Sequence, residues 1–215
     1  MKKWLLLTSM VLVGFCGFAQ DTISTMPTFL NNNGASAVSL EIVAGTDPIK
    51  LTGIANLFNI AATTTDIWIK QGGINGGGSS LSVSNATGWS QHQTGLPVAG
   101  NGTSPVWIPN ITPIFIPAGD TLSVVLTGSM RYYTANGALI TTFPGSIAQL
   151  SAGGSTNGYG GAVPTLSNYP RGFLGSVALE LALSGGCANA FANVVSDSVM
   201  ATTAKIDWTP GTGNS

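Results

Sequence analysis

Charge is what this sequence has least of. Seven Lys and Arg with eight Asp and Glu make up 7% of the 215 residues, where an ordinary soluble domain carries about 25%. The formal net charge is −1. So few cations leave no patch able to neutralise phosphates, which argues against nucleic acid and anionic membrane surfaces as partners. Histidine occurs once, at His92, and cysteine twice, at Cys16 and Cys187. A zinc site usually takes three or four His, Cys or acidic ligands, so neither a metal nor any other cofactor is expected. Only a calcium ion held by backbone carbonyls and one Asp is left open.

Long helical patterns are also missing. No segment shows sustained 3.6-residue periodicity with caps, and "ANLFNIAA", Ala55 to Ala62, comes nearest. After the first twenty residues no apolar run is long enough to cross a bilayer. Disorder is excluded too, because apolar residues make up 44% of the chain.

Glycine is abundant at 29 residues, among many Ser, Thr and Asn. The polar surface is therefore built from hydroxyls and amides. At the N-terminus Lys2 and Lys3 precede an apolar stretch from Trp4 to Phe18, and Gly17 and Ala19 supply the small residues of a cleavage site before Gln20. Residues 1–19 read as a secretory signal peptide, so the mature protein is expected outside the cell or on its surface. Removing it leaves Cys187 as the single cysteine, so no internal disulfide forms and the core must hold the fold alone.

The rest of the chain reads as short strands. Val38, Leu40 and Ile42 alternate with Ser39 and Glu41; Ile67 and Ile69 alternate with Trp68 and Lys70. Leu122, Val124 and Leu126 repeat the pattern, as do Val177, Leu179 and Leu181. Ile49 to Phe58 is a further strand in which Gly53 marks a bulge. Pro109, Pro113 and Pro117 make "WIPNITPIFIPAG" an interrupted edge strand. The glycine-rich stretches 72–80 and 153–161 read as loops. Many short strands between Gly, Asn and Pro turns predict an all-β chain with an antiparallel, jelly-roll-like β-sandwich over residues 21–183. "SGGCANA", 184–190, reads as a linker. Residues 191–215 then offer a weak strand, a turn near Asp197 and a strong strand ending at Trp208.

Cys187, the Val194–Val199 region and "ATTAKIDWTP" together resemble the opening of a fibronectin type III domain, as found in secreted multidomain proteins of Bacteroidota. In that family the Trp of the second strand packs in the core, and Trp208 matches it. Only about the first quarter of a domain of ~100 residues is present. The resemblance implies a truncated hairpin of that domain, and a chain that is the N-terminal part of a larger surface protein. "IPAGDTLSVVLTG" and "RGFLGSVALELAL" are similar to the β-sandwich modules that follow the signal peptide in such proteins. It also implies O-glycosylation at Asp-Ser/Thr-aliphatic sequences, which places candidates at Thr22, Thr121 and Ser198. The N-x-Ser/Thr sequences at Asn85, Asn101 and Asn110 read as chance in a chain this rich in Asn and Thr.

No catalytic constellation stands out. His92 lies in "GWSQHQTG", which reads as an exposed turn or strand end rather than the strained turn of a nucleophile. The acidic residues are scattered singly. Glu41 and Glu180 would make a carboxylate pair only on neighbouring strands, and their alternation with apolar residues points both at solvent. Cys187 has no cation nearby in sequence to activate it, and "GGINGGGSS" lacks the Lys-Ser/Thr of a phosphate loop. Among Trp68, Trp89 and Trp107, Trp68 is the best candidate for stacking on a sugar, because it lies opposite Ile67 and Ile69; burial or a covering loop is the competing reading. The expected function is a secreted, non-catalytic β-sandwich module with a structural or adhesive role, its partners glycans or other surface proteins. The alternative is a glycan-binding accessory module of a carbohydrate-active or proteolytic enzyme whose catalytic domain lies elsewhere.

Overall fold

A computed structural model describes residues 20–26, 33–74, 80–133, 142–153 and 158–182, and the backbone of 191–199 and 204–210. The signal segment, the linker and Cys187 lie outside the described residues. The chain divides into two compact units: Ala19–Leu183 is one, and the C-terminal hairpin belongs to the other.

The larger unit is an antiparallel sandwich of two sheets, neither closed into a barrel. The smaller sheet runs β1 (Gln20–Ser24), β15 (Gly175–Leu181), β3 (Ile49–Asn56), with β7 (Val106–Trp107) and β8 (Ile114–Ile116) sharing the far edge of β3. The larger sheet runs β5 (Leu81–Ser82), β13 (Thr165–Asn168), β12 (Gly160–Ala162), β2 (Asn33–Ala44), β9 (Thr121–Tyr133), β4 (Thr63–Gln71), β6 (Ser90–Val98). The hairpin of β10 (Thr142–Pro144) and β11 (Ala148–Ser151) extends the edge of β2, and β14 (Gly172–Phe173) joins the end of β9. No α-helix occurs among the described residues, and none of their helices is long and apolar enough to cross a membrane.

Period-two patterning explains the pairing. Val38, Leu40 and Ile42 of β2 stand opposite Leu126, Val124 and Leu122 of β9, and all six point into the main core. The smaller sheet returns Ile49, Leu51 and Ile54 from β3, Val177 and Leu179 from β15 and Ile23 from β1. Each such side chain contributes about 1.5–3 kcal/mol when fully buried, so the core can hold the fold without a cross-link. Thr25 ties the sheet's end together: its hydroxyl donates to the Phe173 carbonyl (2.8 Å) and accepts the Gly175 N–H (3.0 Å).

Several local expectations need correcting. Ala55 to Ala62 is not helical: β3 ends at Asn56 and a bridge pairs Phe58 with Met130. The extra residue of the β3 bulge is Thr52, because Leu51 faces Leu179 while Gly53 faces Ala178. His92 sits inside β6, a nine-residue edge strand, and not in a turn. Gly160 and Gly161 belong to a strand rather than a loop. In the C-terminal unit β16 (Phe191–Val199) and β17 (Ala204–Pro210) form an antiparallel hairpin. Asp197 falls at a register shift within β16, so the strand continues past it.

Candidate functional site

The two outer faces of the sandwich are treated differently. The back of the larger sheet carries a second hydrophobic cluster, in which Ala37, Val125 and Leu166 of the sheet pack with a roof of Ile74, Val83, Trp89 and Tyr159. Trp68 is half-buried against this cluster. Polar side chains fix the roof. Ser39, fully buried, accepts the Tyr159 N–H (2.8 Å) and donates its own N–H to the Tyr159 carbonyl (2.9 Å). Glu41 accepts the N–H of Ile74 through Oε1, and the Ser123 hydroxyl lies 3.2 Å from the same oxygen and 2.8 Å from the Gly72 carbonyl. Glu41 is therefore half-buried rather than open to solvent as its alternation suggested, because Gly72 and Ile74 of a distant segment come against that side of the strand.

Glu180 lies on β15 of the other sheet, opposite Lys50 and Gln20 in register. The two strand-centre glutamates are thus not neighbours. Asp21 and His92 hold loops, and Asp66 holds the edge strand β6. Asp21 Oδ2 accepts the N–H groups of Ser146 and of Ile147 (3.3 Å). Asp66 Oδ1 accepts from the Thr94 hydroxyl and the Gly95 N–H, both at 2.8 Å. His92 donates from Nε2 to the Thr112 carbonyl (3.0 Å). Gln93 brackets the same turn, donating to the Asn110 carbonyl (3.0 Å) and accepting the Thr112 N–H (2.7 Å). Among the described residues no group of three His, Cys, Asp or Glu is placed to hold a metal ion.

Among the described residues, the outer face of the smaller sheet carries no such roof of buried apolar side chains. Its residues align in rows across the strands. One row is Ser24, Ser176, Ala55 and Trp107. The next is Thr22, Ala178 and Gly53. The third is Gln20, Glu180, Lys50 and Phe115. The centre is thus a floor of small side chains, and an aromatic ends each outer row on the β7–β8 edge. Trp107 is 50% exposed and Phe115 52% exposed. The indole of Trp107 lies against Gly53, where an added Cβ would come within 3.1 Å of Cζ3 and 3.3 Å of Cε3. Phe115 is placed by the turn that His92 and Gln93 clamp, and its carbonyl accepts from Gln71 (3.4 Å). Because Thr52 is a bulge, the partners of the two aromatics on β3, Lys50 and Ala55, align with Glu180 and Ser176 on β15, a separation of roughly 13 Å at the rise of an extended strand.

A cleft of about 400 Å³ opens at one end of the sandwich, between the β2–β3 turn and the β10–β11 turn. Thr46, Asp47, Ser146 and Gln149 are its polar lining, and Asp47 is held by the Thr46 hydroxyl (3.4 Å).

Of the glycosylation candidates, Thr22 is exposed in the middle row of the smaller sheet, and Thr121 is half-buried opposite Val43 at the start of β9. Ser198 lies opposite Lys205 in the hairpin backbone. Among the tryptophans the sequence pattern favours Trp68 over Trp107, and it carries no signal for Phe115. Comparison of the chain with protein-family models, with curated proteins and with solved structures found no match.

Proposed function

We propose that this chain is a non-catalytic β-sandwich module of a larger secreted or cell-surface protein, with a structural or adhesive role. One observation carries the reading: Glu41, Asp21, Asp66 and His92, all suited to acid–base chemistry, are engaged in holding backbone groups of loops and of an edge strand. Glu41, Asp21 and His92 each hold a backbone group of a turn or loop, Asp66 holds the neighbouring edge strand β6 at Gly95, and Glu180 lies in the opposite sheet from Glu41. A glycosidase needs two carboxylates facing one bond, about 5–9.5 Å apart; these two stand on separate sheets. The open face of the smaller sheet, with its exposed aromatics, is suited to contact instead. The test is an assay of the purified full chain against chromogenic glycosides, esters and casein. No turnover above buffer is expected. Turnover that Glu41→Gln or Glu180→Gln abolishes would overturn the proposal.

A further inference from the structure

The geometry points to the outer face of the smaller sheet as a binding site for an extended, neutral polysaccharide, with Trp107 and Phe115 as its two stacking residues. This inference rests on the non-catalytic reading above and adds the site and the ligand class. The argument starts at Gly53. With no Cβ there, the indole of Trp107 seats against the sheet on one side and stays half-exposed. An aromatic ring seated on backbone offers its remaining surface to the C–H face of a sugar ring at small cost in side-chain freedom. Phe115, half-exposed opposite Lys50, ends the outer row at the other end of the same edge, roughly 13 Å away by strand rise, a span longer than a single sugar ring.

Charge selects the polymer. The ionic groups of this face, Lys50 and Glu180, oppose each other in register and sum to zero. The floor otherwise carries hydroxyls and an amide, from Ser24, Thr22, Ser176 and Gln20. Such a surface gives no net field to attract a polyanion or polycation, yet it supplies donors and acceptors for hydroxyl groups. The two aromatics stand at separate ends of the floor rather than fused into the contiguous apolar centre typical of protein interfaces. A neutral sugar chain, apolar on its ring faces and hydroxylated at its rim, complements each of these features.

The experiment is affinity electrophoresis of the full chain in gels containing hydroxyethyl cellulose, xylan, galactomannan or dextran, with heparin as the anionic control. Retardation by at least one neutral polymer, unchanged by 0.5 M NaCl, is the expected result. Trp107→Ala should weaken that binding by at least about tenfold, Trp107→Phe should keep most of it, and Trp68→Ala should leave it within about twofold. Thermal melts of all three variants control for folding. Phe115→Ala should weaken binding of long chains more than of disaccharides. No retardation by any neutral polymer, or retardation that Trp107→Ala leaves intact, overturns the inference. So does a dimer on light scattering that Trp107→Ala dissociates, since the face would then be a contact between copies. In each case an absence of turnover would leave the non-catalytic reading standing, and the two readings fail separately.

Discussion

Glu41 illustrates what one carboxylate does when its side of a strand is covered. Its Oε1 collects the Ile74 N–H and lies within reach of the Ser123 hydroxyl, so it fixes Ile74 against the larger sheet. Removing it leaves a covered N–H without its acceptor, at a cost of about 1–3 kcal/mol. Glu41→Ala should lower stability in urea by that amount, and Glu41→Gln, which keeps a carbonyl acceptor, by less. Amide exchange at Ile74 should quicken in Glu41→Ala. No local sequence signal announced this role. Glu41 alternates with Val38, Leu40 and Ile42 as a solvent-facing residue would, and only the fold brings a later segment over it. The same holds for the tryptophans. Trp68 and Trp107 both stand opposite apolar neighbours, but the first meets the second cluster and the second meets Gly53. What lies across from a residue decides its exposure, and a single strand's pattern does not contain that.

At the level of strands, legibility followed burial. β2, β9, β4 and β15 alternate cleanly because one side faces the main core, and these were readable. The prolines correctly marked β7 and β8 as an interrupted edge, since a missing N–H is tolerated there. β6 was missed because an edge strand with exposed Gln91, Thr94 and Pro97 carries little apolar signal. Close approach of β15 to β3 is the tightest constraint in the smaller sheet. A Cβ at Gly175 would come within 1.9 Å of the Ala55 carbonyl oxygen and 2.5 Å of Cζ of the fully buried Phe173 ring, so neither neighbour adjusts easily. Gly175→Ala should therefore cost at least about 3 kcal/mol, the upper end of typical overpacking. Chemical denaturation should show it, and Ser176→Ala, one residue along, should change stability by less than about 0.5 kcal/mol as a partly exposed surface substitution.

For the whole molecule, the scarcity of charge becomes a statement about solution behaviour. With 7% charged residues and net charge −1, few long-range interactions exist for salt to screen. Raising NaCl from 0.05 to 0.5 M shortens the Debye length from about 14 Å to about 4 Å, yet the unfolding midpoint should move by no more than the equivalent of about 0.5 kcal/mol. A larger fall, followed by differential scanning fluorimetry, would show that ion pairs contribute more than the composition implies. Fold class could be read from composition and turn spacing, because hydroxyl- and glycine-rich sequence with apolar alternation permits little else. The recognition face could not, because it is assembled in rows from β1, β15, β3, β7 and β8, which are remote in sequence.

The roof on the larger sheet also sets an order of events when the molecule fluctuates. The second cluster contains seven buried residues against twenty-eight in the main core, and side chains such as Ser39 and Glu41 fasten its cover. Lifting that cover exposes little apolar surface and leaves the sandwich behind it closed. Hydrogen exchange should accordingly fall into two tiers, with Ile74, Val83 and Tyr159 opening sub-globally and the amides of β2 and β9 waiting for complete unfolding.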